Sequence, residues 1–460
     1  MVETPNGNDN RPNVLLVHCH DLGRNLGCYD RGVETPNIDE LAADGVLMEN
    51  QFCTAPQCCP SRGSLMTGRY PHNNGLMGQV TWGWELPESE TTLPEHLAQI
   101  GYSTHLFGFQ HVKKDDESIY GRVHTTDSRA SNVSETFSED VESLTDNGPF
   151  FASLSIDEPH LPIRRDHVDD AAYERYHPED VEVPPYLPDR PGVREQVADL
   201  NGVLNHTLDP AVGSICRSVE KVGIAEETLV VFTTDHGLAL PRAKGTCYDP
   251  GLEVAFIARL PKVFDGGERY DELLSHVDVL PTVLELLGVE VPANVDGRSF
   301  LPMVTGNDYE ERDHVYAEMT WHERYVPMRT IRTKRFKYVR NFWKQQRVHL
   351  PADILGSRAG REVCEEFYTT ERPREELYDL REDPHEQENL ASGRGALSPP
   401  DSSGLFGAPG AGPDPDSDYT EDVRDLRQRI HDWMQATDDP LLDGPVTRPG
   451  TEVWEAQELR

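Results

Sequence analysis

The residues best suited to chemistry follow short apolar stretches of the sequence. They are imidazoles and carboxylates: His20 and Asp21, His111, residues 157–160 (DEPH), and Asp235 with His236. In an open α/β sheet, ligands bind outside the carboxyl ends of the parallel strands. If the apolar stretches are such strands, these side chains meet at one edge of the sheet and line a ligand-binding crevice.

A thiol at the start of a predicted helix is a second chemical feature. Cys58 opens the segment CCPSR at 58–62, which leads into GSLMTGR at 63–69. Proline followed by serine and a short apolar repeat is typical of a helix start, so Cys58 is expected just ahead of the positive end of a helix. Arg62, one turn into that helix, can neutralise a developing oxyanion. The other interpretation is a buried structural thiol beside Cys59.

Apolar runs and helical patterns alternate through residues 1–305. The apolar runs predict buried strands at 12–18, 102–108, 149–156, 228–233 and 254–260. The helical patterns lie at 37–44, 61–67, 91–100, 202–222 and 275–287. This alternation predicts a catalytic α/β domain at 1–305, with a large, mainly parallel sheet sandwiched by helices.

The pattern changes in residues 306–460, which we expect to form a smaller α+β subdomain. Runs at 314–320, 328–333 and 335–340 alternate between apolar and polar residues, and 422–434 has a helical repeat. They predict a small antiparallel sheet with a helix packed on it. Residues 393–418 are rich in Gly, Pro, Ser and Asp, a composition typical of a flexible insertion.

The charge balance limits the possible partners. The chain has 81 acidic and 43 basic residues, a formal net charge of −38. Such a field repels nucleic acid and anionic membranes, so neither is expected as a partner, and any anion site must be locally positive. A salt-rich cytoplasm would explain the acidity, because concentrated salt screens the self-repulsion. A GC-rich genome that favours Arg and Asp codons is the alternative explanation.

Other features favour a cytoplasmic protein. The polar residues 1–13 lack the apolar stretch of a signal peptide, and no run of 18 apolar residues predicts a membrane span. The eight cysteines lack paired C-x-x-C spacing, which argues against a disulfide framework and against a structural zinc site.

Several segments together resemble the formylglycine-dependent sulfatases, whose signature is C-x-P-S-R followed by x-x-x-x-T-G. Residues 58–68 match that signature in full. Further similar segments are NVLLV at 13–17 with DLG at 21–23, TPNIDEL at 35–41, TTDHG at 233–237, DVLPT at 278–282, and ELYDL at 376–380 with DP at 383–384 and NL at 389–390. The resemblance covers nearly the whole chain and implies an alkaline phosphatase-like fold.

The resemblance implies a modified cysteine and a metal ion. A formylglycine-generating enzyme would oxidise Cys58, not Cys59, because only Cys58 has the required Pro and Arg spacing. One divalent cation, normally Ca²⁺ in this family, would be held by His20, Asp21, modified Cys58, Asp235 and His236. His20 replaces a usual Asp, and imidazole favours softer ions than calcium. His20 could therefore bind the ion directly or lie behind its ligands.

The resemblance also assigns the catalytic residues. Cys58 and Arg62 come from the signature; Lys244 matches the sulfate-binding cation, His160 the histidine that contacts sulfate and protonates the leaving atom, and His111 the histidine that helps expel sulfate. Phe109 stands where relatives usually have a lysine, so one positive contact is missing. The expected reaction is in-line attack on the sulfur of a small sulfated substrate.

Within the family, the heparan N-sulfatases (sulfamidases) offer the greatest likeness. YVPMR at 325–329, HE at 322–323 and DDP at 438–440 resemble their segments. His322, Glu323 and Arg329 could form a polar pocket edge for a sugar, and an ordinary strand-edge face is the other interpretation. Two other functions stay open: a phosphonate monoester or phosphodiester hydrolase on the same fold, and an inactive anion-binding homologue. The sequence leaves the oligomeric state undetermined.

Overall fold

The computed structural model describes residues 11–115, 118–163, 168–343, 348–369, 372–391 and 419–450. Its described strands form an eight-stranded sheet and a separate four-stranded sheet. The predicted insertion at 393–418 lies outside the described residues, and the division of the chain at residue 305 stays a prediction.

The large sheet has the order β4-β3-β5-β1-β6-β7-β2-β8. All of its pairings are parallel except those of β7 with β6 and with β2. The strands are β1 Asn13–Cys19, β2 Val46–Phe52, β3 Ser103–Phe107, β4 Arg122–Thr125, β5 Phe150–Ile156, β6 Thr228–Thr234, β7 Phe256–Arg259 and β8 Glu268–Ser275.

Helices pack on both faces of this sheet, because its central strands are apolar on both faces. In β1, Val14 and Leu16 belong to one hydrophobic cluster, whereas Leu15 and Val17 belong to the cluster on the opposite face. A strand buried on both faces reads as a continuous apolar run, which is the pattern of β1, β5 and β6. The predicted α/β architecture is therefore confirmed.

The α-helices differ in length and in how they begin. They are α1 Pro36–Asp44, α2 Cys58–Thr67, α3 Pro71–Asn74, α4 Leu93–Gln99, α5 Ala130–Leu144, α6 Asp170–Glu174, α7 Pro191–Val203, α8 Asp209–Lys221, α9 Asp249–Leu252, α10 Val279–Leu286, α11 Leu301–Val304, α12 Ala352–Gly356, α13 Arg358–Thr369 and α14 Thr420–Ala436. The predicted helix at 202–222 is in fact two helices, α7 and α8, joined by a π-helical turn at Leu204–Leu208.

The small sheet is antiparallel, as predicted, with the order β12-β11-β10-β9. Its strands are β9 His314–Trp321, β10 Tyr325–Thr333, β11 Phe336–Asn341 and β12 Glu375–Asp379, and α14 packs against it. Apolar side chains of β9, β10 and β11 share a hydrophobic cluster with Phe52 and Leu273 of the large sheet. The two sheets therefore hold a common core, which fixes the small sheet beside the carboxyl ends of the large one.

All eight cysteines lie in the described ranges and are free thiols. Along the described ranges, no helix combines the length and the apolar character needed to cross a bilayer.

Candidate active site

Two adjacent strands carry the acidic part of the site. β1 ends at Cys19, directly before His20 and Asp21, and its neighbour β6 ends at Thr234, directly before Asp235 and His236. Asp235 Oδ1 accepts hydrogen bonds from the backbone N–H of Asp21, at 3.0 Å, and of His236, at 2.9 Å. This carboxylate thereby connects the turn after β1 to the turn after β6. The side chains of His20, Asp21, Asp235 and His236 are all buried.

Cys58 faces these turns from the first residue of α2. The helix begins three residues earlier than predicted, with Gln57 as its N-cap, so Cys58 lies inside the first turn and not ahead of it. Its Sγ lies 3.5 Å from Nε2 of His236. Burial raises the pKa of the Cys58 thiol well above its usual range. As an unmodified residue it therefore stays a protonated thiol near neutral pH and is a poor nucleophile.

Arg62 is fully buried one turn behind Cys58. Its Nε lies 3.2 Å from Oδ2 of Asp235, and its NH1 lies 2.9 Å from both Nδ1 of His18 and Oγ of Ser155. Its NH2 is buried and makes no hydrogen bond. The guanidinium is thus anchored on one side and has a free donor on the other.

The buried donor atoms form a set that fits a divalent cation. Ligand atoms of Asp21, Cys58, Asp235 and His236 lie within 4.8 Å of one another. Asp21 Oδ1 makes no hydrogen bond, although Nε2 of His236 is only 3.1 Å away. A cation site brings carboxylate and imidazole atoms close together without hydrogen bonds between them, because these atoms bind the ion instead.

His20 lies beside this set. Its Nδ1 is 3.0 Å from Oδ2 of Asp235, and it forms an overlapping group of possible ligands with Asp21, Cys58 and His160. Burial, reinforced by the charge of Arg62, lowers the pKa of His20 to about 4. The imidazole is therefore neutral near neutral pH, with a lone pair available to a metal ion.

Lys244 supplies a second buried positive charge near Cys58. Its Nζ donates to Oδ2 of Asp21 at 2.7 Å and to Oδ2 of Asp353 at 2.6 Å, and it lies 3.2 Å from Nε2 of His160. Burial opposes the lysine charge, but the carboxylates of Asp21 and Asp353 raise the pKa of Lys244 well above its usual range. The site therefore keeps a fixed cation despite the acidic surroundings.

Asp353 is a site residue that the sequence did not reveal. It lies in the short helix α12, and its side chain is 14% exposed. It approaches Lys244 because the chain returns from the small sheet to the edge of the large one. No motif surrounds Asp353, so only its contacts in the folded chain identify it: the hydrogen bond with Lys244 and a distance of 3.9 Å to Nε2 of His160.

The turn after β3 brings in Phe109 and His111. The Phe109 ring centroid lies 4.8 Å from that of His20 and 4.2 Å from that of His111, and Cζ of Arg62 lies 5.1 Å from the centroid. Phe109 thus fills the space between these three side chains. Burial holds the pKa of His111 well below its usual range, so His111 is a neutral proton acceptor near neutral pH.

All nine predicted site residues therefore lie in one cluster at the carboxyl edge of the large sheet, where the sequence predicts a ligand-binding crevice. The expectation for Arg329 is wrong. Its side chain is fully buried and donates from Nε and NH2 to the carboxylate of Asp439, at 2.5 and 2.9 Å. Arg329 thus joins β10 to the chain after α14 and does not border a pocket.

Comparison with protein families assigns most of the chain. Residues 12–289 match the family model described as Sulfatase, and residues 241–354 match the model described as N-sulphoglucosamine sulphohydrolase, C-terminal. The second match includes both Lys244 and Asp353.

Individual relatives agree with these matches. An ulvan-active sulfatase of Formosa agariphila is 28% identical over 98% of this chain and 85% of its own length. Human N-sulphoglucosamine sulphohydrolase is 24% identical over 94% of this chain and 92% of its own length.

Solved structures of similar fold include a protein in complex with its substrate D-glucosamine-2-N,6-O-disulfate, with a TM-score of 0.68 and 17% identity over 94% of this chain and 99% of its own. Phosphonate monoester hydrolase of Agrobacterium radiobacter also has a TM-score of 0.68, with 20% identity over 95% of this chain and 100% of its own. At these identities the two structures establish the fold alone.

Proposed function

We propose that this chain, which belongs to the sulfatase family and is therefore a sulfuric ester hydrolase, acts on a sulfated sugar at the crevice around Cys58. The observation that carries the proposal is the position of Cys58 on a buried helix, with the carboxylates of Asp21 and Asp235 and the ammonium of Lys244 around it. The acidic cluster suits a cation, and the lysine suits the sulfate group.

The proposed cofactors are one divalent cation and formylglycine at position 58. Asp21, Asp235, His236 and residue 58 would hold the cation, with His20 as a further candidate ligand, and the two carboxylates make Ca²⁺ our choice. Made from Cys58 by a formylglycine-generating enzyme, the hydrated aldehyde would supply the nucleophilic oxygen, with the cation favouring its ionised form.

The protein residues position and neutralise the sulfate group. Lys244 and the free NH2 donor of Arg62 are the buried cations available to its oxygens. Fixed charges that need no reorganisation lower the barrier most effectively in a buried site. The 30% exposure of His160 supports its role as the candidate acid that gives the leaving group a proton. His111, neutral and half-buried, is the candidate base for expelling sulfate.

A sulfamate or sulfate ester of an amino sugar is the proposed substrate class. The C-terminal family match, the human relative, and the neighbour solved with a glucosamine disulfate support it. The likeness to a phosphonate monoester hydrolase keeps that activity as the second candidate. Phe109, in place of a cationic side chain, is the feature that favours an inactive anion-binding protein.

Assays on protein shown to carry formylglycine distinguish these functions. We expect hydrolysis of 4-nitrophenyl sulfate, and of N-sulfoglucosamine in preference to glucosamine 6-sulfate. The kcat/KM for a phosphonate monoester or a phosphodiester should be lower. A higher value for either phosphorus substrate would favour the second candidate, and sulfate binding without turnover would favour the inactive homologue.

The acidic composition supports a further proposal, that the chain is adapted to concentrated salt. With a net charge of −38, the native state suffers self-repulsion that salt screens. We expect the midpoint of thermal unfolding to rise between about 0.1 and 2 M KCl, as measured by circular dichroism. A midpoint that stays constant or falls would contradict salt adaptation and would leave the proposed activity unaffected.

A further inference from the structure

A second group of possible metal ligands lies in the small sheet, outside the crevice around Cys58. His322 and Glu323 form the turn that follows β9, and His349 lies on the segment between β11 and α12. The donor atoms of these three side chains lie within 4.8 Å of one another. The cluster thus joins two parts of the chain that are distant in sequence.

The carboxylate of Glu323 is oriented toward the two imidazoles. Its Oε1 accepts a hydrogen bond from the backbone N–H of Ala352 at 2.9 Å. Its Oε2 contacts Nδ1 of His322 and lies 3.5 Å from Nε2 of His349. One oxygen is therefore anchored, and the other points at the space between the rings.

His349 provides the observation that points to a ligand. The residue is 6% exposed, and its Nε2 is buried without a hydrogen-bond partner. A buried nitrogen left without a partner destabilises the native state, so a bound group that used its lone pair would remove that penalty.

We propose that His322, Glu323 and His349 form a second cation site that takes a divalent transition ion such as Zn²⁺. Two imidazoles and one carboxylate are a ligand set that favours zinc over calcium or magnesium. Donor atoms about 2.0–2.2 Å from a tetrahedral ion lie roughly 3.3–3.5 Å apart, close to the 3.5 Å between Nε2 of His349 and Oε2 of Glu323. Nδ1 of His322 contacts Oε2 of Glu323 more closely than that, so the His322 ring would have to move away from the carboxylate when an ion binds. The side chains of His322 and Glu323 are 10% and 26% exposed, which gives the ion a route from solvent.

An ion at this site would act on the crevice through the segment 349–353. The backbone of Ala352 holds Glu323, and the next residue, Asp353, holds Lys244. A Cβ built on Gly245 would lie 2.8 Å from Cγ of Pro351 and 3.2 Å from Cδ2 of His349, so the Lys244 loop packs directly on this segment. The ion would therefore hold the segment 349–353 in place and so position Asp353 against Lys244.

Metal stoichiometry tests the proposal without relying on activity. The Asp235→Asn variant lacks a ligand of the Cys58 site, and we expect it still to bind one equivalent of Co²⁺, with the visible absorption of a tetrahedral N/O site. Adding His349→Gln should weaken that binding at least about 100-fold or abolish it, because a direct ligand matters at least as much as the groups that orient ligands.

Two further variants serve as controls, one for misfolding of His349→Gln and one for the general loss of an imidazole. His322→Gln, at a partly exposed position, should lower the stoichiometry of otherwise unaltered protein from two Co²⁺ to one, even if His349→Gln fails to fold. His314→Gln removes an imidazole of β9 that is paired with Asp313, outside the proposed ligand set, and should leave the stoichiometry unchanged. The proposal is overturned if Asp235→Asn protein binds no Co²⁺, or if its Co²⁺ binding survives removal of His349 or His322.

Discussion

Replacing Cys58 by Ala is expected to lower kcat by a factor on the order of 10⁴ to 10⁶, the range seen when an enzyme loses its nucleophile. The side chain at position 58 sits among Asp21, Asp235 and His236. Alanine removes the only group there that can become the proposed nucleophile, but it leaves the surrounding charges in place. KM should change far less than kcat, because Lys244 and Arg62 still hold the sulfate group.

Cys59→Ser is the matched control for this substitution. Cys59 is equally buried, but its Sγ faces away from the cluster and donates to Oε1 of Gln79 at 2.8 Å. Serine keeps a donor there and preserves the signature spacing, so activity should stay within a few-fold of the unsubstituted protein. Peptide mass spectrometry should find the thiol-to-aldehyde change at position 58 in both the control and the unsubstituted enzyme. Intact Cys58 in fully active protein would disprove the mechanism.

Replacing Asp235 by Asn is expected to remove bound metal and activity together. The carboxylate links the turns after β1 and β6, pairs with Arg62, and belongs to the proposed ligand set. Loss of one anionic ligand should lower the metal content of the Cys58 site below about a tenth and kcat by about 10³-fold or more. Arg62 is then buried without its carboxylate, which should cost about 3 kcal/mol of unfolding free energy.

Asp209→Asn distinguishes metal loss from general destabilisation. Asp209 is as buried as Asp235, at 1% exposure, but it accepts hydrogen bonds from the backbone N–H groups of Asn37 and Ile38, far from the crevice. This variant should lose about 1–3 kcal/mol of stability and keep its metal. Elemental analysis after dialysis measures the metal content of the Asp235→Asn and Asp209→Asn proteins. Full metal content in Asp235→Asn protein would show that the cation lies elsewhere.

The accuracy of the strand predictions follows from how each strand is buried. The runs of β1, β5 and β6 lie inside the large sheet, where both faces are buried, so most of their side chains are apolar. β3 (STHLF) is recognisable only with its neighbour Tyr102 and its apolar end, because its first three residues are polar. β2 (VLMENQF) and β8 (ERYDELLS) were missed because polar residues interrupt them. β7 was predicted as a strand, but its antiparallel direction comes from the connection after β6, and no residue in FIAR encodes it.

The site divides in the same way between what the sequence determined and what the tertiary structure decided. The sequence identifies most of the site because each residue lies in a short segment with a recognisable motif: Cys58, Arg62, Asp21, Asp235 and the histidines. Asp353 and His349 could not be recognised in the sequence, because each contacts a partner more than 20 residues away. Asp353 contacts Lys244, and His349 lies beside Glu323. Arg329 shows the converse, because a charged residue in a promising segment became a buried partner of Asp439. Local motifs name the reactive groups, whereas burial and long-range pairing, which decide what surrounds them, exist only once the two sheets have packed together.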